Sequence, residues 1–298
     1  MGVDLGGTKM EAVAMDRMGE VRRRIRVSTS ENYSEIIEGI AKLRTRLEQD
    51  AGPMETLGVG TPGCICPHTG RIKNAYNTAL QGRRIDKDLE AAVGLPVRVA
   101  NDANCFALSE ATDGAGAEAP CVLGVILGTG VGSGLVVHGK LLVGRNAIAG
   151  EWGHSPLPGH DVDGELVAEC TCGRVGCIEA YLSGPAMRRD HHARTGQDLN
   201  AQMIAHEAEN GDEAAKETLT RYGDRLSRAL AAAINLVDPD VIVLGGGVSQ
   251  IPWLYKHVTS SWGRHVFSDR VDTALLPNRF GDSSGVRGAA WLWSENLD

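Results

Sequence analysis

The stretch GVDLGGTKMEAVAMD, residues 2–16, decides the fold. A short apolar run, Met1 to Leu5, breaks at paired glycines, and MEAVAMD (10–16) then alternates as a strand does. RRRIRVST (22–29) predicts a third strand. The same order returns later. CVLGVILG (121–128) is an apolar strand, Gly128-Thr129-Gly130 a turn, and SGLVVHGKLLVG (133–144) a further pair of strands. Strand, glycine turn, strand, strand therefore occurs twice, at Asp4–Thr8 and at Leu127–Gly130. Its period is too long for a solenoid. It predicts two related α/β domains whose glycine turns face each other across a cleft, since open α/β sheets bind ligands beyond the carboxyl ends of their strands.

Between the repeats, SENYSEIIEGIAKLRTRLEQD (30–50) predicts a helix with Ile36, Ile37, Ile40, Leu43 and Leu47 on one face. TLGVGTPG (56–63) and VRVA (97–100) read as strands, and NDANCFALSEATDG (101–114) opens a helix. Helices are expected over roughly 198–211 and 213–237, a buried strand at DPDVIVLGGGVS (238–249), and a last helix from Ser283 to Trp293. The expected division is 1–118, completed by a C-terminal helix at 283–298, and 119–282.

Composition narrows the function. With 30 basic against 38 acidic residues the formal charge is −8, without the basic footprint that phosphate backbones need, so nucleic acid is not expected as a partner. No apolar run is long enough to span a membrane, and no leader pattern is present at the start. Aromatics make up 4%, so Val, Ile, Leu and Ala must fill the core, and the tryptophans read as packing residues. The seven cysteines are an odd number, and four of them (Cys64, Cys66, Cys105, Cys121) lie far from the rest. This argues against a disulfide framework and for a cytoplasmic protein.

The remaining three crowd into eight residues. Cys170-x-Cys172-x4-Cys177 with an upstream histidine makes a Cys₃His set, the composition of a closed tetrahedral zinc site. His154 and His160 both satisfy the spacing, and Gly173 and Gly176 let the short loop wrap an ion. The glycine turns carry a different chemistry. Asp4-Leu5-Gly6-Gly7-Thr8 is neither a dinucleotide fingerprint nor a Walker loop. It does let backbone N–H groups approach phosphate oxygens without a Cβ in the way, with the Thr8 hydroxyl as a further donor. Asp4, at the strand end, suits a hydrated Mg²⁺. Gly128-Thr129-Gly130 and Gly245-Gly246-Gly247 repeat the pattern, which points to a nucleotide. In NDAN, Asn101 and Asp102 are both good helix caps. Asn101 can cap while Asp102 faces the cleft as a proton acceptor in phosphoryl transfer. His191-His192, among basic neighbours on a helix, reads as a solvated face.

Taken together the motifs DLGGTK, GTPG, NDAN, ILGTG, GEWGH, CxCGxxGCxE and VIVLGGG resemble, in order and over nearly the whole chain, those of the ROK family (repressors, uncharacterised reading frames and sugar kinases). KNAYNTALQG (73–82), GEWGHSPLP (150–158) and DSSGVRGAAWLW (282–293) are most similar to its manno(fructo)kinases, called fructokinases. The resemblance implies the actin-like ATPase (ribonuclease H-like) two-domain α/β fold of sugar kinases, with a zinc loop at 150–180. It implies Asp102 as catalytic base, and Asn101, Glu151, His154 and Glu179 as the groups that bind sugar hydroxyls. It favours His154 over His160 as fourth ligand beside Cys170, Cys172 and Cys177, one imidazole nitrogen serving the zinc and the other the sugar. Gly6, Gly7 and Thr8 match the first phosphate loop, Gly128 to Gly130 the second, and Gly245 to Gly247 the adenosine side. ATP, Mg²⁺, structural Zn²⁺, a hexose and a possible homodimer follow by the same resemblance.

The expected activity is ATP-dependent phosphorylation of fructose, with mannose next, to the 6-phosphate. The alternative within the family is an N-acetylglucosamine or glucose kinase, since NDANCFALSEA fits the N-acetylglucosamine branch too. The alternative of another class is a non-catalytic sugar-responsive regulator. Family repressors carry a DNA-binding domain before the core, and here three residues precede Asp4, fewer than family members usually have. Both phosphate loops and Asp102 are present, which favours the enzyme.

Overall fold

The computed structural model describes residues 1–75, 78–159 and 168–294. In chain order the elements are β1 (Gly2–Leu5), β2 (Lys9–Met15), β3 (Val21–Ser28), α1 (Tyr33–Ala51), β4 (Leu57–Thr61), β5 (Cys64–Ile65), β6 (Ile72–Lys73), α2 (Ile85–Val93), β7 (Val97–Asn101) and α3 (Asp102–Thr112). Then follow β8 (Cys121–Leu127), β9 (Val131–Val137), β10 (Lys140–Leu141), α4 (Ile178–Leu182), α5 (Gly184–Thr195), α6 (Ala201–Glu209), α7 (Glu213–Val237), β11 (Val241–Gly245), α8 (Pro252–Ser261), β12 (Ala274–Pro277) and α9 (Ser284–Trp291).

The chain divides into two compact units. One holds Met1–Glu118, Gly134–Gly150 and the residues from Arg279 onward; the other holds Ala119–Ser133 and Glu151–Asn278. The boundary thus runs through β9. Residues 134–150, which the sequence pattern assigns to the second domain, group with the first.

The first unit's sheet has the order β3-β2-β1-β4-β7, and the second sheet the order β10-β9-β8-β11-β12. In the first sheet β1, β2 and β3 form an antiparallel meander, and β4 and β7 run parallel to β1 on its other side. In the second, β11 runs parallel to β8 and to β12. Strand by strand the two sheets have the same plan, and in each a glycine turn joins the first two strands. This is the α/β plan expected of the actin-like fold.

Period-two alternation explains how the first sheet is covered. Val3 and Leu5 of β1, with Leu57 and Val59 of β4, join Ile36, Ile40, Leu43 and Leu47 of α1 and Ile85, Leu89 and Val93 of α2 in one buried cluster. The alternate positions are Gly2, Asp4, Gly58 and Gly60, and here α3 and α9 come close. A Cβ at Gly58 would stand 1.7 Å from the Ala289 carbonyl oxygen, and one at Gly2 2.4 Å from that of Val286. Within the helix pair, a Cβ at Gly288 would overlap the Cys105 carbonyl at 1.6 Å. Glycine is required at these places because backbone meets backbone. The buried carboxylate of Glu110 anchors the start of α9, accepting from Ser284 Oγ (2.6 Å), Arg279 N (3.1 Å) and Ala115 N (2.9 Å). The last helix thereby fixes what surrounds Asp4. Among the described residues no helix is long and apolar enough to cross a membrane.

Candidate functional site

In the first unit the β1–β2 turn leaves Gly7, Thr8 and Lys9 exposed, and a Cβ at Gly7 would meet nothing within 4 Å. The turn is braced from behind: Thr29 donates its hydroxyl to the Gly6 carbonyl at 2.8 Å and its N–H to the Thr8 carbonyl at 3.0 Å. Asp4 is partly buried at the end of β1. Its strand partner is Glu11, which is in turn opposite Arg26 and ion-paired with it. A Cβ at Gly285 of α9 would lie 3.0 Å from Asp4 Oδ2. At the end of β7, Asn101 accepts from Ala103 N (2.9 Å) and Asn104 N (3.4 Å), so it is the N-cap of α3. Asp102 follows as the first helical residue, exposed, its Oδ1 accepting from Ala103 N at 2.8 Å. One residue caps and the next presents a carboxylate to solvent.

Burial, then the charges of Asp102 and Glu11, push the Asp4 carboxyl up to about 6, with Lys9 and Arg26 opposing in part. The folded chain therefore holds this proton more tightly than the unfolded chain does. Its contribution to stability is favourable at low pH and is lost as pH rises towards and past 6. Without Mg²⁺ or nucleotide, Asp4→Asn is expected to stabilise the protein at pH 8 by roughly 1–3 kcal/mol, and by less at pH 5. Urea unfolding at both pH values measures this; equal or lower stability of the variant at pH 8 contradicts it.

The second unit holds the remaining candidates. Glu151 and His154 are the ends of one 3-10 turn, and a Cβ at its buried Gly153 would lie 2.1 Å from the Val131 carbonyl oxygen. Backbone bonds Leu157 N to Gly176 O (2.8 Å) and Ile178 N to Ser155 O (2.9 Å) hold this segment against the cysteine loop. Gly173 and Gly176 both have φ near +83°, the left-handed region that lets the loop close. The potential ligand atoms of His154, Cys170, Cys172 and Cys177 all lie within 4.8 Å of one another. A tetrahedron with Zn–S bonds of about 2.3 Å and a Zn–N bond of about 2.0–2.1 Å has edges of about 3.5–3.8 Å. Cys172 and Cys177 Sγ are 3.7 Å apart, and His154 Nδ1 and Cys170 Sγ 3.5 Å. The donors and their spacing fit zinc. Burial, then the Cys172 and Cys170 sulfurs, push the Cys177 thiol up to about 12, so metal entry must expel a proton there. His160, the other histidine with suitable spacing, lies outside the described residues.

Glu179, in the first turn of α4, has both carboxylate oxygens in use. Oε2 accepts from Val131 N at 3.0 Å. Oε1 accepts from Thr171 Oγ1 at 2.9 Å, with Cys170 Sγ 3.5 Å away. Thr129 is exposed at the tip of the turn that Gly128 and Gly130 flank. Gly245 ends β11, Gly246 has φ +81°, and a Cβ on Gly246 would stand 2.5 Å from the Leu127 carbonyl. The second and third glycine loops are thus stacked on each other, as the sequence cannot show.

The sequence pattern also passes over Thr171 and Gly184. The Gly184 N–H donates to the Gly128 carbonyl at 2.8 Å. One expectation is overturned. His191 is fully buried, its Nδ1 3.0 Å from Thr218 Oγ1, and Asp190 beside it binds Arg221 and Arg225; only His192 is on a solvated face. Trp253 is 38% exposed and stacks on His257 with ring centroids 4.3 Å apart, where packing alone was expected.

A model of the ROK family matches residues 1–296. An N-acetyl-D-glucosamine kinase of Aliivibrio salmonicida (strain LFI1238) is 38% identical over 98% of each chain. The enzyme of that name from Pasteurella multocida (strain Pm70) is 36% identical over the same share. Among solved structures, a ROK hexokinase from Thermus thermophilus superposes with TM-score 0.86 at 32% identity, covering 97% of this chain and 95% of that one. A ROK family glucokinase from Streptomyces griseus, in complex with glucose and AMPPNP, superposes with TM-score 0.80 at 30% identity over 98% and 97%.

Proposed function

Because the chain belongs to the ROK family, we propose that it is an ATP-dependent sugar kinase whose preferred substrate is N-acetyl-D-glucosamine. The fold is the actin-like α/β fold of ROK sugar kinases. The observation that carries the sugar is 38% identity, along 98% of the chain, to an N-acetyl-D-glucosamine kinase. The fructose expectation rested on three short segments, and it gives way to this full-length likeness; residues 76 and 77 of the first segment lie outside the described residues.

In this reading the sugar hydroxyl oxygen attacks the γ-phosphorus of ATP. The new O–P bond forms as the bond to the β,γ-bridging oxygen breaks, ADP leaves, and Asp102 takes the hydroxyl proton. Its place at the start of α3, outside the cap that Asn101 supplies, supports the role. The turns at Gly6–Thr8 and Gly128–Gly130, exposed at Gly7, Thr8 and Thr129, receive phosphates on backbone N–H groups, and Gly245–Gly247 the adenosine side. Mg²⁺, held through water by Asp4, would neutralise phosphate charge. Asn101, Glu151, His154 and Glu179 bind sugar hydroxyls. His154, Cys170, Cys172 and Cys177 would hold zinc, which would fix the His154 imidazole and leave its second nitrogen for a hydroxyl, without entering the chemistry.

ADP release is measured with N-acetylglucosamine, glucose, mannose and fructose. The acetamido sugar is expected to exceed fructose in kcat/KM by about tenfold or more, a modest demand on a polar pocket. Preference for fructose restores the earlier assignment. Absence of ADP release with all four sugars supports the regulator instead.

A further inference from the structure

We infer that Glu179 and Thr171 couple the metal loop to the nucleotide loop, so that order in the Cys₃His loop sets affinity for ATP as well as for sugar. The inference rests on the proposed kinase reading and adds a positioning role that this reading does not contain.

The geometry is contained within one unit. α4 begins directly after Cys177, the last cysteine of the set, and its two ends both meet the turn at Gly128–Gly130. At its start Glu179 Oε2 takes the N–H of Val131, the residue that follows the turn. Beyond its other end the Gly184 N–H donates to the Gly128 carbonyl. The carboxylate presses so closely on the turn that a Cβ at Gly130 would stand 2.7 Å from Oε2. Its other oxygen takes the hydroxyl of Thr171, the residue between Cys170 and Cys172. One carboxylate thus joins the two loops, each through a separate oxygen.

Carbonyl and N–H directions at the turn decide whether phosphate oxygens find donors. Glu179 fixes one of those directions, and Thr171 fixes Glu179. When the metal loop loosens, Thr171 moves and the turn loses its brace. An alanine at 179 removes both bonds at once, whereas a glutamine could keep both, accepting from the Val131 N–H and donating its NH₂ to the Thr171 hydroxyl oxygen.

The test uses the intact protein and a non-hydrolysable ATP analogue with Mg²⁺, titrated calorimetrically without sugar. Thr171→Val removes the strut at its metal end and leaves every proposed ligand in place. It is expected to retain zinc by metal analysis, yet to weaken nucleotide binding about 3–10-fold, in the range of one lost hydrogen bond. Chelation of wild-type protein should weaken nucleotide binding about tenfold. In Glu179→Ala affinity should already be low, and chelation should change it less than twofold, the non-additivity of a shared path. Normal nucleotide affinity in zinc-loaded Thr171→Val overturns the coupling, as do additive effects of Glu179→Ala and chelation. If chelation unfolds the protein, the Thr171→Val titration decides alone. Wild-type protein that binds no nucleotide at all defeats the kinase reading itself, a result distinct from nucleotide binding that ignores the metal loop.

Discussion

Asp102→Asn should abolish most turnover while leaving the protein as stable as before. The substitution keeps size and most hydrogen-bonding capacity. The cap of α3 is supplied by Asn101, and Asp102 is exposed, so little folding energy is at stake. On the proposed kinase reading, what is lost is the acceptor for the sugar hydroxyl proton. A positioned general base contributes about 10²–10⁴-fold, so kcat should fall by that factor or more, with a much smaller change in sugar affinity. If the aspartate were chiefly a cap, Asp102→Ala would lower the Tm and leave turnover near normal. Measuring kcat, sugar binding and Tm on both variants separates these outcomes. Retention by Asp102→Asn of more than about a tenth of wild-type kcat, well short of that general-base effect, removes it as the base.

Cys172→Ser should act by another route. Wild-type protein purified without chelators is expected to hold one zinc per chain, since the four donors lie within 4.8 Å of one another and two of their pairs stand at the tetrahedral spacing. Replacing one thiolate by a hydroxyl should reduce zinc to a small fraction of that value. Sugar KM should rise about 10–100-fold, the usual cost of losing the support behind a binding group. The Tm should fall too, because metal binding and loop order are linked. Metal analysis that finds no zinc in the wild-type protein counts against the whole site, whatever the variant does.

Much of this architecture is legible in the chain, and the exceptions have physical causes. The meander β1–β2–β3 and helix α1 announce themselves because each has one apolar face, so the period survives in the sequence. The glycine turns and the cysteine spacing are visible because their chemistry tolerates few residue types. α5 is hidden for the opposite reason. Its buried side is completed by Asp190 and His191, which reach Arg221, Arg225 and Thr218 on α7, so a polar run is buried. β12, ALLP, is a four-residue strand at a sheet edge that ends in proline and reads as a loop. α8 begins with Pro252 and is rich in aromatic and β-hydroxy residues, a weak helical signal although Pro at the first turn is well suited. Among the site residues, Asp102 and the cysteines could be singled out by type and spacing. Thr171 could not, since its part depends on a carboxylate eight residues away folding back onto it. The choice of sugar was least legible: a few polar contacts distinguish hexoses, and short motifs shared among branches do not record them.

The closing of the first sheet by α9 has a consequence for how the chain is made. The face of the sheet that carries Val3, Leu5, Leu57 and Val59 can be covered by α1 and α2, all encoded before residue 100. The opposite face meets α3 at Gly60, but at Gly2 and Gly58 it stays uncovered until Ser284–Trp291 has been synthesised. At about 5–20 residues per second, the ribosome needs on the order of 10–30 s to travel from the end of α3 to that helix. During that interval the nascent first unit is half roofed, and the surroundings of Asp4 are unfinished. A fault late in translation, such as a premature stop or a stalled ribosome before α9, would therefore disable β1, because that late helix completes this early strand.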